Sequence, residues 1–209
     1  MIPEGVYRLL FLLTGIAMMA IRSYYQRKVL PQHKKTSIKG KPAHLIPGAI
    51  AALTTITFSL EYIIAPRTFG FAYPVNFPDW VRIAGALMLT CGLLLLWSAH
   101  FHLDLSFSSF VASSEGQPMV TTGPYAYIRH PIYTAYSMNY LGGGLLAANL
   151  VLTVIPALCF IWMIALRINE EERMLVDLFG DPYAAYMQNT PRFLPSWLSL
   201  THRKHQAES

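Results

Sequence analysis

Charge is scarce in this chain. Only 13% of its 209 residues are Asp, Glu, Lys or Arg, where a soluble domain carries about 25%. That shortfall excludes an ordinary water-soluble enzyme with a charged shell. Cysteine is scarcer still. Cys91 and Cys159 both sit in apolar runs, far from any Cys-x-x-Cys spacing, which argues against a disulfide framework or a structural zinc site. His100 and His102 are two apart, and His33, His44, His202 and His205 have no partner at a metal-binding spacing, so no metal site is expected. Gly-x-Ser-x-Gly, the P-loop and Gly-x-Gly-x-x-Gly are all missing. The one glycine triplet, Gly142-Gly143-Gly144, lies inside an apolar run and opens no phosphate loop. There is no internal repeat and no low-complexity segment. The length suits one compact unit and leaves no room for a separate dinucleotide-binding domain.

Long apolar runs are abundant, and 54% of the residues are hydrophobic. Five stretches stand out: Val6 to Ile21, Leu45 to Ala65, Trp80 to Phe101, Ile132 to Leu150, and Val151 to Leu166. About 20 apolar residues cross a bilayer. The first run has its basic cluster after it and no small-residue cleavage site before Arg22, so it reads as a retained span and not a signal peptide. The last two meet at Ala148-Asn149 with almost no loop and predict a tight hairpin of shorter helices, loosened by Pro156 and the glycine triplet. The expected fold is an all-α, polytopic membrane helix bundle of about five spans with a C-terminal helical cap. Residues 1–209 form a single membrane domain. Within it, 1–116 is a three-helix part with a basic loop at 22–41, 117–199 is the part that carries the chemistry, and 200–209 is a loose tail.

The net charge of +5 fits a membrane surface better than nucleic acid, because the basic excess is local. Seven Lys and Arg fall in 22–41, one in 102–131 and five from Arg167 onward, leaving only Arg8, Arg67 and Arg82 toward the other side. The positive-inside rule then places the N-terminus outside and the C-terminal chemistry in the cytosol. Glu61, about one helical turn before Pro66, is an acid in a span. Such an acid signals function unless it reaches the interface, as this one can.

Two polar patches interrupt the apolar pattern. In the first, Thr121 to Tyr133, Gly123-Pro124 makes a turn and Pro131 suits the first turn of a helix, which puts Arg129 and His130 at a helix N-terminus. A positive helix end with two basic side chains suits a carboxylate, and the same residues also suit interfacial anchoring. In the second patch, Arg167 to Arg173, the adjacent acids Glu170, Glu171 and Glu172 open an amphipathic stretch expected to continue the last span. They read either as a solvated acidic turn or as one wall of a site. Gly180 is a C-cap signal, and Asp181-Pro182 starts a second short helix carrying Tyr183 and Tyr186. The tight hairpin brings the two patches together, so a cation-lined wall faces a carboxylate-lined one, as a zwitterion requires.

The segment Gly123-Pro124-Tyr125-x-x-x-Arg129-His130-Pro131-x-Tyr133, then Leu141-Gly142, then Arg167-Ile168-x-x-Glu171-Glu172-x-x-Leu175-x-x-x-Phe179-Gly180-x-x-Tyr183-x-x-Tyr186 resembles the isoprenylcysteine carboxyl methyltransferase and phospholipid methyltransferase superfamily. The resemblance runs from about Val120 to Pro195. It implies an integral membrane enzyme that uses S-adenosylmethionine on an apolar acceptor such as an isoprenylcysteine carboxylate, a lipid amine or a thiol. It implies a cofactor site of Gly123, Pro124, Tyr125, Arg129, His130, Pro131, Tyr133, Gly142, Glu171 and Tyr183. Arg129, Glu171, Glu172 and Arg192 are then the residues nearest the chemistry. Two departures stand out. Asn189 occupies the place of an Arg usual in the prenylcysteine enzymes, with Arg192 three residues later as a possible substitute, and Gln117 stands where many relatives have His. Two other readings compete: an NADPH-dependent enzyme like the sterol reductases, and a non-catalytic membrane protein of the same fold. The small size points to a bacterial inner membrane in preference to the endoplasmic reticulum.

Overall fold

The computed structural model describes residues 2–29, 45–74, 76–110 and 119–195. The basic segment from 30 to 41, Gln117 and the tail 200–209 lie outside the described residues. Among the described residues the fold is all-helical: α1 (Glu4–Val29), α2 (Leu45–Ile64), α3 (Asp79–Phe110), α4 (Pro131–Leu146), α5 (Leu150–Phe179) and α6 (Asp181–Asn189), with short 3₁₀ turns at Gly70–Ala72 and Gly123–Ala126. Four helices, α1, α2, α3 and α5, are long and apolar enough to cross a membrane. Exposed apolar side chains along α1, such as Leu9, Leu13, Ile16 and Met19, suit contact with lipid.

Of the about five spans expected, four reach spanning length among the described residues, and the difference lies at the hairpin of shorter helices. At 1.5 Å per residue the 16 residues of α4 reach about 24 Å, less than the ~30 Å hydrocarbon core. α4 stops at Leu146 and not at Leu150, because Ala148 turns the chain with φ 52°. The following span is not short either. It is continuous with the amphipathic stretch, giving one 30-residue α5. Pro131 opens α4 as expected, and Gly180, with φ 64°, separates α5 from α6, a backbone conformation that glycine adopts without steric penalty.

The chain divides into two compact units. The first comprises residues 1–93 and 136–167, the second 94–135 and 168–209. In the first, glycines tighten the hairpin where loosening was expected. A Cβ on Gly142 would lie 2.8 Å from both the Gly85 carbonyl oxygen and the Leu89 nitrogen of α3, and one on Gly144 would collide with Thr153 of α5. Glycine is needed at both positions because helix backbones come together there. Asn149 caps α5 by accepting from the Leu152 N–H at 2.9 Å.

The same unit holds a polar cluster that charge counting missed. Arg82 is buried and donates Nε to the Leu146 carbonyl at 2.9 Å, satisfying an orphan group at the end of α4. Its Nη1 and Nη2 reach Glu4 at 2.7 and 2.9 Å, and Nη2 also donates to the Tyr62 hydroxyl at 2.9 Å. Its guanidinium carbon stands 3.7 Å from the centre of the Tyr7 ring, a cation–π contact. Tyr7 in turn donates to Asp79 at 3.0 Å. One arginine thereby ties α1, α2 and α3 to the end of α4. Glu61 is buried on α2 and accepts from the Tyr73 hydroxyl at 2.5 Å.

Candidate functional site

The second unit assembles the polar patches. Gly123 has φ 58°, and a Cβ there would fall on the His102 ring. The residue must therefore be glycine for the Gly123–Ala126 turn to pack. This turn leads into Arg129 and His130, immediately before Pro131 starts α4.

Three cationic-capable side chains converge on Glu172, whose relative exposure is 3%. Arg129 places Nη2 at 2.9 Å and Nε at 3.1 Å from Glu172 Oε1. Arg192 donates Nε to both carboxylate oxygens at 3.1 Å and Nη2 to Oε2 at 2.6 Å, a forked pairing with further directionality. His130 Nε2 lies 3.2 Å from Oε1. Two fixed positive charges already compensate one carboxylate, so a third cation has little to gain here. Burial pushes the His130 imidazole below its ordinary range, against the pull of Glu172. The neutral Nε2–H tautomer donates to Glu172 without needing the extra proton.

The C-terminal segment completes the enclosure. The Arg129 and His130 N–H groups donate to the Pro191 and Arg192 carbonyls at 2.8 and 2.9 Å. Arg129 Nη1 donates to the Met187 and Thr190 carbonyls at 2.5 and 2.7 Å, and the Thr134 hydroxyl to the Phe193 carbonyl at 2.8 Å. These two backbone N–H groups, expected at an anion site, are therefore spent on the strap 187–193. Tyr133 lies on the adjoining turn of α4, stacks on His130 at 5.6 Å and donates its hydroxyl to Glu171 Oε2 at 2.6 Å. Tyr186 donates to the Tyr125 carbonyl at 2.5 Å. Tyr183 is buried beside Phe179, and burial pushes its hydroxyl up to about 12, so it remains a neutral phenol.

The expected walls do face each other, but they close by pairing and leave no gap between Arg129 and Glu172. Beside Arg192 there is a cavity of about 290 Å³ bounded by Asn169, Glu172, Arg173, Val176, Asp177, Met187 and Arg192. Arg192 is held there by Glu172 and by Asn169 Oδ1 at 3.1 Å, while its Nη1 takes part in none of these bonds. Asn189 turns back on its own helix, donating to the Ala185 carbonyl at 2.9 Å. Of the residues assigned from sequence, Gly123, Pro124, Tyr125, Arg129, His130, Pro131, Tyr133, Glu171, Glu172, Tyr183 and Arg192 all belong to this unit. Gly142 belongs to the first unit, where Gly85 and Leu89 fill its open face. Sequence reasoning named Arg192 but missed the rest of the strap, because its other contacts to Arg129, His130 and Thr134 are made through backbone carbonyls that any residue could supply.

Comparison with known proteins agrees with this motif set. Residues 85–177 match the model of the isoprenylcysteine carboxyl methyltransferase family. The protein-S-isoprenylcysteine O-methyltransferase of Schizosaccharomyces pombe is 36% identical over 127 residues, covering 59% of this chain and 54% of the relative. The mouse protein of the same name is 31% identical over 155 residues, covering 73% of this chain and 52% of the relative. The cobalt-zinc-cadmium resistance protein CzcN of Cupriavidus metallidurans is 32% identical over 136 residues, with 65% and 60% covered. The chain thus spans about half the length of the two methyltransferases. On its paired motifs, its apolar helices and these matches, the chain is similar to the isoprenylcysteine carboxyl methyltransferase family.

Proposed function

We propose that the chain is a membrane methyltransferase that uses S-adenosylmethionine to esterify the carboxylate of a prenylcysteine-like, apolar acceptor. The observation that carries this reading is the Glu172 clamp. One buried carboxylate fixes the guanidiniums of Arg129 and Arg192 and leaves an edge of Arg192 turned away from it, beside a cavity.

The donor set suits both ligands. The methionine end of the cofactor is a zwitterion and needs both signs of charge, and the cavity walls supply both in Asp177 and Arg192, with Val176 and Met187 for its apolar part. Glu171, held by Tyr133, supports the cofactor's ammonium. Glu172 is a positioning residue, because its oxygens are committed to Arg129, His130 and Arg192. When bound, the cofactor supplies an electrophilic methyl on a sulfonium. Transfer of that methyl to an acceptor carboxylate would release the sulfur as a thioether and leave an ester, so the charges of sulfonium and carboxylate would cancel. No proton moves, so the site requires no general base, which is consistent with a fully paired Glu172. What the chain contributes is alignment and exclusion of water from a step that annihilates charge. Arg192 Nη1 receives the acceptor carboxylate, taking the role for which Asn189 lacks the charge.

The distribution of Lys and Arg supports placing this unit on the cytosolic side of the membrane, where a soluble cofactor reaches it while an apolar acceptor enters from the bilayer. Calorimetric titration of detergent-purified protein tests the cofactor. S-adenosylmethionine and S-adenosylhomocysteine should bind, and binding should weaken at least tenfold in Glu171→Gln. NADPH binding in their place would move the case to a reductase, and binding of none of the three by folded protein would favour the non-catalytic reading.

A further inference from the structure

Tyr136 and Tyr140 stand four residues apart on α4 and so share one face of the helix. Both rings pack on Phe160 of α5, with centroids 5.8 and 5.3 Å away. Packing accounts for the rings but not for the hydroxyls, neither of which is hydrogen-bonded to a described residue. Helical side chains lean toward the N-terminus of their helix, which turns both hydroxyls toward the Pro131 end of α4.

The first helix delivers a cation to the same place. Tyr7 clusters with Leu146, and the Phe11 ring lies 3.6 Å from where a Gly143 Cβ would stand, so α1 and α4 run antiparallel. From Phe11 on to Arg22 is about 16 Å of helix, and from Gly143 back to Pro131 about 18 Å. Arg22 thus comes level with the first turn of α4. Its charge is within electrostatic reach of both hydroxyls, as Tyr136 is of Tyr140. Arg22 is exposed and, like the hydroxyls, is bonded to no described residue. All four residues belong to the first unit.

These groups are a donor set without an acid. A guanidinium only donates, and each phenol offers one O–H. Phosphate oxygens accept such donors, the guanidinium as a fork. Met19 and Ile16, three and six residues before Arg22 on α1, are exposed and continue the site as an apolar track, which suits acyl chains and is of no use to a free anion. The seven Lys and Arg of 22–41 support placing this end of α1 in the cytosolic leaflet, where anionic lipids collect.

We propose that Arg22, Tyr136 and Tyr140 bind the phosphate of an anionic phospholipid whose acyl chains lie along Met19 and Ile16. The site is separate from the proposed methyl transfer and does not depend on it. It explains why two hydroxyls in a membrane bundle take no partner from the protein.

The test is native mass spectrometry of the full chain in detergent, titrated with dioleoylphosphatidylglycerol or with dioleoylphosphatidylcholine, which has the same phosphate and chains but adds a cation. The glycerol lipid should fill one site with an apparent Kd at least tenfold below that of the choline lipid. Arg22→Gln should raise this Kd at least tenfold. The double variant Tyr136→Phe with Tyr140→Phe, which keeps both rings on Phe160, should raise it at least threefold. Arg27→Gln removes the same charge farther along α1 and should change it less than twofold. Equal affinity for the two lipids, equal effects of Arg27→Gln and Arg22→Gln, or an indifferent double variant would overturn the proposal. Displacement of the glycerol lipid by inorganic phosphate would also overturn it, by making a free anion the ligand. In lipid-free detergent all these variants should melt with wild type, because no protein partner is lost. A lower Tm there for Arg22→Gln or for the tyrosine pair would assign the groups to the fold, and the proposal falls. No step of this test requires methyl transfer, so its outcome and that of the proposed function are read separately.

Discussion

Arg129 and Glu172 stand 43 residues apart in the sequence and meet at 2.9 Å, both nearly sealed from solvent. The contact joins the turn before α4 to the last third of α5. Arg129 also donates to two carbonyls of the strap, so a single guanidinium links the turn before α4, α5 and the strap.

Removing the carboxylate should therefore cost stability as well as activity. Glu172→Gln leaves Arg129 and Arg192 without their counter-charge, and breaking a buried pair from one side costs about 3–5 kcal/mol. Thermal unfolding in detergent should show a clear drop in Tm, larger than that of Glu170→Gln on the same helix. Equal melting of the two variants would mean that the clamp contributes nothing to the fold.

His130 sets a pH dependence with a definite sign. Burial holds its folded pKa below its ordinary value near 6.5. Above that value the ring is neutral in both states and its contribution is intact. As pH falls below about 6.5, the unfolded chain takes up a proton that the folded one resists, and stability declines toward the lower folded pKa. Wild type should lose more Tm between pH 7.5 and 5.5 than His130→Gln, which keeps a donor but does not titrate. Parallel pH profiles for the two proteins would show that His130 is not the source.

The glycine triplet gives a contrast between neighbours. Gly142→Ala drives a methyl group into the backbone of α3 at Gly85 and Leu89, while Gly143→Ala meets only the Phe11 ring at ordinary contact distance. The first should destabilise by about 1–3 kcal/mol, as overpacking does. The second should fall within about 0.5 kcal/mol of wild type, in the range of mild substitutions. Chemical or thermal denaturation of the two variants side by side decides the matter.

Arg192→Lys separates recognition from charge. Lysine keeps the cation but loses the planar fork that bridges Glu172 and an incoming carboxylate. The acceptor kcat/KM should fall at least tenfold with cofactor affinity little changed. Adding Asn189→Arg should not restore it, because residue 189 faces back along α6 to Ala185. Full rescue by Asn189→Arg would relocate the acceptor cation.

Much of this architecture was written locally. Pro131, Gly180 and the amphipathic run after Arg167 mark element ends by backbone chemistry alone, and the helices follow them. The approach of Arg129 and His130 to Glu171 and Glu172 was readable because a tight hairpin forces the two patches together. What stayed hidden depends on distant partners. Gly142 reads as a flexible point until Gly85 is seen against it. Arg82 reads as a stray outer charge until Glu4, 78 residues away, is found to pair with it. The strap hid for another reason, since carbonyl oxygens at 187–193 leave no trace in side-chain identity. The same limit applies to Glu172, where pairing with three neighbours shows the carboxylate to be a clamp and not an open ligand.

The central claim is methyl transfer in the second unit, and the most direct measurement follows label from S-adenosyl-[methyl-³H]methionine into a base-labile ester of N-acetyl-S-farnesylcysteine, catalysed by purified protein in detergent or vesicles. Wild type should form the ester with time and enzyme concentration, and Arg129→Ala and Glu171→Gln should each reduce the rate at least a hundredfold while remaining folded. Ester formation that persists unchanged in both folded variants would contradict the site, and folded wild type that binds S-adenosylmethionine yet forms no ester with this acceptor would contradict the assigned acceptor chemistry.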